Sequence, residues 1–278
     1  MDLAKYGPWA LVVGGSEGVG AEFARQLAAD GFKLVLTARK TGPLEELKAE
    51  LEGKGAEVRI VSADLSKPDV LDKVREATDD VEVGLLVYNA GANNTRGLIV
   101  ELPREVPDSV IAINVHGQVD FSRHYGQKMV ERGHGGIILT GSLGGYLGSP
   151  TLAAYCASKA FSRIYTEALW GEMGPLGVDV LHLNIGFTAT PAMERLGMPI
   201  DLAEPCENVA REGLENIANG PLHIVSTPGN IEQVKRVGMP LDDRGRLVKE
   251  NAIRPREETA DAAREIAAEA AANAAKAG

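Results

Sequence analysis

The chain has 278 residues, of which 44% are hydrophobic, and its 39 acidic against 29 basic residues leave a net charge of −10. Those values fit one large α/β domain around a single core, and the acidic balance argues against nucleic-acid binding, which needs a basic surface. No stretch approaches the roughly 20 apolar residues of a membrane span, so we expect a soluble, cytoplasmic protein. The two cysteines, Cys156 and Cys206, indicate neither a disulfide framework nor a C-x-x-C metal or redox pair.

Short apolar runs alternate with amphipathic segments as far as Val225. Repeated strand-helix units of this size predict an α/β fold, with one doubly wound parallel sheet of about seven strands and helices on both faces. The strands are predicted at Trp9–Val13, Lys33–Thr37, Val58–Ser62, Leu85–Tyr88, Gly136–Thr140, Val178–Asn184 and Leu222–Val225. The helices are predicted at Gly20–Asp30, Pro43–Leu51, Asp69–Ala77, Ser109–Arg132, Leu152–Met173 and Glu207–Ala218.

No internal repeat divides the sequence, and we assign residues 1–250 to this single domain. The remaining residues, 251–278, form a tail rich in Ala and Glu. Its segment Glu257–Ala277 is either an exposed helix or a frayed, solvated end.

A glycine-rich segment joins the first strand to the first helix. Such a turn lets the backbone approach a pyrophosphate, and it points N–H groups and the positive end of the helix at the phosphates. A glycine cluster alone could be an ordinary tight turn, but the strand before it and the helix after it favour a Rossmann-type dinucleotide site. The predicted cofactor contacts in this turn are Gly14, Ser16, Glu17, Gly18, Val19 and Gly20.

The end of the second strand indicates which dinucleotide binds. NAD enzymes usually carry an acid about 20 residues past the glycines, whereas this sequence has Arg39 and Lys40 there and no acid. The planar guanidinium of Arg39 can bond two oxygens of a 2′-phosphate, which predicts NADP(H). The alternative is a solvated pair of surface charges. Glu17 would repel that phosphate, unless it instead holds Arg39 in place.

Tyr155 and Lys159 lie four residues apart near the start of the fifth predicted helix, and residues so spaced share one helical face. The pKa of a free tyrosine is about 10, too high for a base at neutral pH, and a nearby ammonium lowers it. We therefore predict that Tyr155 exchanges a proton with a substrate oxygen. Tyr-x-x-x-Lys alone, however, occurs by chance in many helices.

Two further residues make the pattern specific. Ser142 lies 13 residues before Tyr155, directly after the fifth strand, where its hydroxyl can bond the substrate oxygen. Asn114 lies within the long fourth helix, where its amide could hold a water that links Lys159 to solvent. Taken singly, turn chemistry also explains Ser142, and satisfaction of a helix kink also explains Asn114. Together the four predicted catalytic residues form a coherent proton path.

With these residues the sequence resembles the short-chain dehydrogenase/reductase family over roughly Tyr6 to Val225. The family's glycine motif is matched by Val13–Gly20, with Val13 where a threonine is usual. The family's Pro-Gly-x-x-x-Thr stretch, which holds the nicotinamide, falls on Ile185–Thr190, and Ile185 replaces the proline. The resemblance implies further cofactor contacts from the adenine-pocket acid Asp64 with Leu65, from the turn Asn89, Ala90 and Gly91, from Gly186, Thr188 and Thr190, and from the catalytic Tyr155 and Lys159.

The resemblance also implies reversible hydride transfer between NADP(H) and a carbinol or carbonyl carbon of a small-molecule substrate. The stretch Lys5–Ala10 is similar to NADP-dependent hydroxysteroid dehydrogenases and 3-oxoacyl-CoA reductases of the family, which often carry an arginine at the Arg39 position. Family members associate through the two long helices, here Ser109–Arg132 and Leu152–Met173, so we expect a homodimer or homotetramer. Two alternatives stay open: an epimerase or dehydratase on the same scaffold, and a non-catalytic regulatory protein that keeps the dinucleotide site.

The segment Phe187–Pro205 corresponds to the family's substrate lid, and across the site the loop after Ser142 offers Leu143, Tyr146 and Leu147. Such walls would exclude water and favour a bulky apolar ketone or alcohol, such as a steroid-like ring system, a terpenoid or an aryl ketone. The alternative is that these side chains pack onto the core and never meet substrate. The lid carries apolar Phe187, Ala189, Ala192, Met193, Leu196, Met198, Ile200 and Leu202, and charged Glu194, Arg195, Asp201 and Glu204.

The five histidines include no His-x-x-x-His pair, so no metal site is predicted. His116, two residues after Asn114, either lines the pocket or lies on the helix surface, and we favour the surface. The segment around Ser142 lacks the first glycine of a Gly-x-Ser-x-Gly elbow, so a hydrolase is not indicated.

Overall fold

A computed structural model describes residues 1–91 and 95–237 of the chain, apart from the side chain of Pro228. Its strands are β1 (Trp9–Val13), β2 (Lys33–Ala38), β3 (Val58–Ser62), β4 (Val83–Tyr88), β5 (Gly135–Thr140), β6 (Val178–Asn184) and β7 (Leu222–Ile224). They form one parallel sheet in the order β3-β2-β1-β4-β5-β6-β7. The order reverses between β1 and β4, so the carboxyl ends of these two strands border the edge where such sheets bind ligands.

Helices cover both faces of the sheet. Those in the described residues are α1 (Leu3–Tyr6), α2 (Gly18–Ala29), α3 (Thr41–Glu52), α4 (Val70–Arg75), α5 (Glu105–Ile111), α6 (Gly117–Arg132), α7 (Ala153–Met173), α8 (Pro191–Arg195), α9 (Cys206–Asn216) and α10 (Pro228–Val237).

Alternate side chains of β1 enter two separate apolar layers. Val12 lies in the layer that Phe23 and its neighbours on α2, α3 and α9 complete, and Leu11 lies in the layer that Phe121 and its neighbours on α4, α6 and α7 complete. Every residue of β1 is buried, because helices cover the sheet on both sides. The predicted doubly wound α/β sheet with helices on both faces is confirmed.

The single long helix predicted at Ser109–Arg132 is wrong in one respect. It begins four residues earlier, and a π-helical turn at Ala112–His116 separates α5 from α6. The N–H of Gly117 bonds to the carbonyl five residues before it, and the freed Ile113 carbonyl accepts instead from the Tyr88 hydroxyl at 2.7 Å. The interruption thus depends on a partner from β4, which helical periodicity does not reveal.

Three helices, α1, α8 and α10, have no counterpart in the sequence predictions. α1 and α8 are only 4 and 5 residues long, and α10 begins with the weak helix formers Pro-Gly-Asn, so their apolar patterns are short. The predicted domain boundary at 250 and the tail 251–278 lie outside the described residues. No helix in the described ranges combines the length and apolar character needed to cross a membrane.

Candidate active site

The glycine-rich turn lies at the carboxyl end of β1, against the end of β4. Gly14 has a φ of +81°, and a Cβ there would lie 2.8 Å from the Ala90 Cα, so a side chain does not fit. A Cβ at Gly20 would lie 1.9 Å from the Gly14 carbonyl oxygen. The turn is therefore a bare backbone cradle at the start of α2, which is what a pyrophosphate needs.

The turn after β4 braces this cradle. The N–H groups of Asn89 and Ala90 donate to the Val13 carbonyl at 2.9 and 2.8 Å, and the Asn89 side chain donates to the Gly14 carbonyl at 3.2 Å. Gly91 follows, and a Cβ there would lie 3.4 Å from Lys159 Nζ. The Asn89–Gly91 turn therefore lies between the glycine cradle and the lysine of the predicted catalytic set.

Arg39 and Lys40 are exposed at the end of β2, and neither forms an ion pair with any residue that the structure describes. Asp64, after β3, accepts hydrogen bonds from Ser66 N at 3.0 Å and Ser66 Oγ at 2.8 Å. The Ser66 backbone hydrogen bond, helped by the nearby charge of Arg39, lowers the pKa of Asp64 below its ordinary value. The adjacent Leu65 is buried. Arg39 and Lys40 are thus available for a ligand at this edge of the sheet.

Glu17 binds Arg195 of α8 rather than Arg39. The two N–O distances of this ion pair are 3.0 and 2.5 Å. The hydrogen bond from Arg195 is the main reason why the pKa of Glu17 is lowered. No sequence pattern predicts this pairing, because the two residues are 178 positions apart.

Tyr155 and Lys159 lie on the first turns of α7 and face the end of β5. Lys159 is 4% exposed, and its Nζ lies 5.9 Å from the centroid of the Tyr155 ring and donates to the Thr140 carbonyl at 3.0 Å. Burial lowers the pKa of Lys159 to about 8. The predicted side-by-side placement of the two residues is what the structure has.

The pKa of Tyr155 does not follow the expected direction. It is raised, chiefly because burial disfavours the phenolate, while a hydrogen bond with Ser142 acts in the opposite direction. Lys159 makes no contribution to this shift, and its ammonium donates to the Thr140 carbonyl. In this geometry Tyr155 is a protonated phenol, which suits a proton donor.

Ser142 follows β5 and caps a short turn, where its Oγ accepts from the Gly144 N–H at 3.1 Å. Gly144 lies between the two reactive side chains, because a Cβ there would lie 3.4 Å from Ser142 Oγ and 3.3 Å from Tyr155 Cε1. The hydroxyl groups of Ser142 and Tyr155 are therefore neighbours, as the sequence predicted.

Asn114 lies in the π-helical turn and is fully buried. Its Nδ2 donates to Ser158 Oγ at 3.0 Å, and Ser158 in turn donates to the Tyr155 carbonyl at 2.7 Å. This fixes the amide, and its Oδ1 lies 3.6 Å from the point where a Gly91 Cβ would stand, beside Lys159 Nζ. Sequence reasoning missed Ser158, although it lies inside the Tyr-x-x-x-Lys motif.

The segment after β6 rests on the glycine cradle. Thr188 Oγ1 donates to the Gly186 carbonyl at 3.2 Å, and Thr190 Oγ1 accepts from Met193 N at 3.2 Å at the start of α8. Thr190 Cγ2 lies 3.3 Å from the Cβ position of Gly18. A Cβ at Gly186 would overlap Asn230 of α10, a contact that sequence reasoning also missed. The base of the predicted lid therefore touches the predicted cofactor turn.

The two predicted apolar walls differ in the structure. All eight apolar lid residues between Phe187 and Leu202 are only partly buried. In the loop after Ser142, by contrast, Leu143 and Leu147 are buried, and Leu147 packs with Tyr146 and Val237. This loop therefore packs against α10.

A second apolar surface near Tyr155 had no sequence prediction. Ile99, Leu102, Val106 and Val110 border a small cavity that Tyr155 also borders. The loop that carries Ile99 is tied to the start of α7 by a 3.2 Å hydrogen bond from Gly97 N to the Thr151 carbonyl. Thr151 has a φ of +68°, a strained conformation for a β-branched residue that only the tertiary structure can impose.

His116 is exposed, as favoured from the sequence. Among the described residues, no group of three or more His, Cys, Asp or Glu side chains gathers as a metal site would require.

Comparisons with known proteins agree with this geometry. The family model of the short chain dehydrogenases matches residues 8–199. A very-long-chain 3-oxoacyl-CoA reductase of Pyricularia oryzae is 32% identical over 234 residues, which cover 81% of this chain and 70% of that protein. A 7beta-hydroxysteroid dehydrogenase of Clostridium sardiniense is 33% identical over 219 residues, which cover 77% of this chain and 83% of that protein.

A solved structure has the same fold. A short-chain dehydrogenase from Sphingobium yanoikuyae, in complex with NADPH, matches with a TM-score of 0.73 and 26% identity over 83% of this chain and 93% of that one. The parallel sheet, the family match and the two relatives all point the same way. The chain belongs to the short-chain dehydrogenase/reductase family and is an oxidoreductase that acts on hydroxyl or keto groups.

Proposed function

We propose that this protein is an NADP(H)-dependent oxidoreductase that interconverts a secondary alcohol and a ketone, with Tyr155 as general acid and base. The observation that carries the proposal is the convergence of Tyr155 with Ser142 and of Lys159 with Asn114 beside the glycine cradle. A phenol next to a hydroxyl is a fitting pair for a carbonyl oxygen. Bound in the cradle, NADP(H) supplies the hydride to the carbonyl carbon or accepts it from the carbinol.

The proton chemistry follows from the contacts of each side chain. Ser142 Oγ orients the substrate oxygen, and Tyr155 Oη donates a proton to it in reduction or accepts one in oxidation. Lys159, with a pKa of about 8, can carry or release a proton near neutral pH at Nζ. Asn114 Oδ1, fixed by its bond to Ser158, is the acceptor that would hold a water between Lys159 and solvent.

The cofactor assignment depends on the end of β2. Arg39 and Lys40 present two cations and no acid there, and they keep no carboxylate partner among the described residues, so a 2′-phosphate can bind them. The related Sphingobium yanoikuyae enzyme was solved with NADPH. The remaining predicted contacts, from Asp64 to Thr190, lie along the same edge of the sheet.

The substrate that fits best is bulky and largely apolar. The partly buried lid residues offer one apolar wall, and the cavity beside Tyr155 bordered by Ile99, Leu102, Val106 and Val110 offers another. The two relatives are named for a steroid and for very-long-chain acyl substrates. Each 40 Å² or so of apolar substrate surface buried there stabilises the complex by about 1 kcal/mol.

Association into a homodimer or homotetramer is part of the proposal, by analogy with the family. Ile164 and Trp170 of α7 are 55% and 43% exposed, and such apolar side chains suit a subunit interface. Light scattering on the purified protein measures the oligomeric state directly.

The substrate proposal is tested by kcat/KM, measured with NADPH for a bulky cyclic ketone and for a small sugar. We expect clear preference for the cyclic ketone, because the apolar walls offer no partners for sugar hydroxyls. Preference for the sugar would refute the substrate class. As a matched pair, Val106→Ala, in the wall, should lower kcat/KM for the cyclic ketone, whereas Leu176→Ala, at an exposed position after the end of α7, should not.

A further inference from the structure

The ion pair between Glu17 and Arg195 joins two functional segments that are distant in sequence. Glu17 directly precedes α2 in the glycine cradle, and Arg195 is the last residue of α8 in the lid. The guanidinium binds both carboxylate oxygens through its two terminal nitrogens. Both side chains stay open to solvent, at 43% and 54% exposure.

The surroundings of this pair are cationic. Lys40, at the end of β2, is close enough to Glu17 to contribute to lowering its pKa, and Arg39 precedes it in the chain. The pair therefore lies at the edge where we place the 2′-phosphate of NADP(H). The lid and the end of β2 thus each supply one cation, Arg195 and Lys40, beside the carboxylate of Glu17.

Stability does not account for this arrangement. An exposed ion pair contributes only about 0.2–1 kcal/mol, and it does not need an arginine brought from the lid. The guanidinium has five N–H donors, of which Glu17 engages two, so further donors remain for an anion. The position of α8 is also set independently, because Thr190 caps it and packs on Gly18.

We propose that Arg195 is a cofactor-selecting residue, whose guanidinium Glu17 holds at the edge of the cradle as a third cation for the 2′-phosphate of NADP(H). The inference rests on the proposed function and deepens it. It explains why a carboxylate is tolerated beside a phosphate site: Arg195 neutralises it. It also couples recognition of the phosphate to the lid, because the helix that ends at Arg195 is capped at its start by Thr190.

The test is the binding of NADPH and NADH, measured by fluorescence titration on the full chain. The variants are Arg195→Gln, the double variant Glu17→Gln/Arg195→Gln, and the control Arg75→Gln, which removes an exposed arginine of similar ion pairing on α4. Adenosine 2′,5′-bisphosphate serves as a second probe, since it carries the 2′-phosphate without a nicotinamide. Melting temperatures verify that every variant is folded.

We expect Arg195→Gln to weaken the binding of NADPH and of the bisphosphate by roughly 10- to 150-fold, which is the range of one charge-assisted contact. The binding of NADH should be unchanged. The double variant should regain part of the loss, because it also removes the unpaired carboxylate. The Arg75→Gln variant should bind NADPH, NADH and the bisphosphate with the same affinities as the native chain.

Two results would overturn the inference. If Arg195→Gln weakened the binding of NADPH and of NADH equally, the ion pair would only hold the lid and would not select the cofactor. If NADPH binding were unchanged, Arg195 would have no role at the 2′-phosphate. A native protein that binds NADH as tightly as NADPH is a different result, because it overturns the proposed cofactor as well. The native protein is therefore measured first, and its preference separates the two failures.

Discussion

The nucleotide side of the sheet, at β1 to β3, and the catalytic side, at β5 and β6, are built in different ways. On the nucleotide side the function lies in the backbone: Gly14 and Gly20 leave no room for a Cβ, and their partners are neighbouring strand ends. On the catalytic side the function lies in side chains held by distant partners, such as Asn114 by Ser158. A local pattern can specify the first kind of site, whereas the second depends on how the whole chain packs.

Buried polar groups mark the same contrast. The alternate residues His182 and Asn184 of β6 are fully buried on the face that packs against α7. Neither ring nitrogen of His182 has a hydrogen-bond partner among the described residues. Beneath β1 and β2 the corresponding strand positions are almost all apolar. Burial of such polar groups without hydrogen bonds lowers the stability of the catalytic side, and the nucleotide side has few of them.

The largest effect should come from Tyr155→Phe, which keeps the ring and removes the transferable proton. Turnover should fall by about 10²–10⁴-fold or more, while NADPH still binds. The matched control is Tyr165→Phe on the same helix, whose hydroxyl bonds Ser122 away from the site. Steady-state kinetics and cofactor titration measure both effects. Native-like turnover by Tyr155→Phe would break the assignment of the catalytic side.

A smaller effect is expected on the nucleotide side from Arg39→Asp. The change replaces a phosphate-binding cation with an acid that suits a ribose 2′-hydroxyl, so the preference for NADPH over NADH should shrink or reverse. A charge-assisted contact corresponds to roughly 10- to 150-fold in affinity. The ratio of kcat/KM for the two cofactors measures it, and an unchanged ratio would make Arg39 a mere surface charge.

The smallest effect concerns the stability of the catalytic side. Burial, together with Lys159 and Arg163 of α7, lowers the pKa of His182 from 6.5 to about 3. As the pH falls below about 6.5 the unfolded chain takes up a proton that the folded protein refuses, so stability is lost, by up to about 1.4 kcal/mol per pH unit. His182→Leu should flatten this slope and cost little near neutral pH, since it replaces an unpartnered polar group.

Urea denaturation at a series of pH values measures this contribution. His116→Leu, on the exposed face of the π-helical turn, is the control and should keep the native slope. An unchanged slope in His182→Leu would mean that the acid sensitivity of the fold arises elsewhere.

The same contrast explains which features of the structure could be predicted from the sequence. Hydrophobic periodicity predicted the seven strands and the sheet, because this signal is local. Motif spacing indicated which residues belong to the catalytic side, namely Tyr155, Lys159, Ser142 and Asn114, but not the partners that hold them, such as Ser158. Sequence patterns could not predict the π-helical turn, which needs the Tyr88 hydroxyl, or the pairing of Glu17 with Arg195.

Two further features have the same origin. In the loop after Ser142, which was expected to line the substrate pocket, Leu147 packs with Val237 of a helix that the sequence did not predict. The pKa of Tyr155 was expected to fall, but it rises, because burial outweighs the hydrogen bond with Ser142. Orientation and burial are tertiary properties that residue spacing does not contain.

The central claim, that this protein transfers a hydride between NADP(H) and a carbonyl carbon, is tested most directly by reaction stoichiometry. The purified protein is incubated with NADPH and a bulky cyclic ketone, and NADPH oxidation is compared with alcohol formed. The account predicts one alcohol for each NADPH consumed. Product formed without net consumption of NADPH, as in an epimerase or dehydratase, or no turnover across a panel of ketones and alcohols, would contradict it.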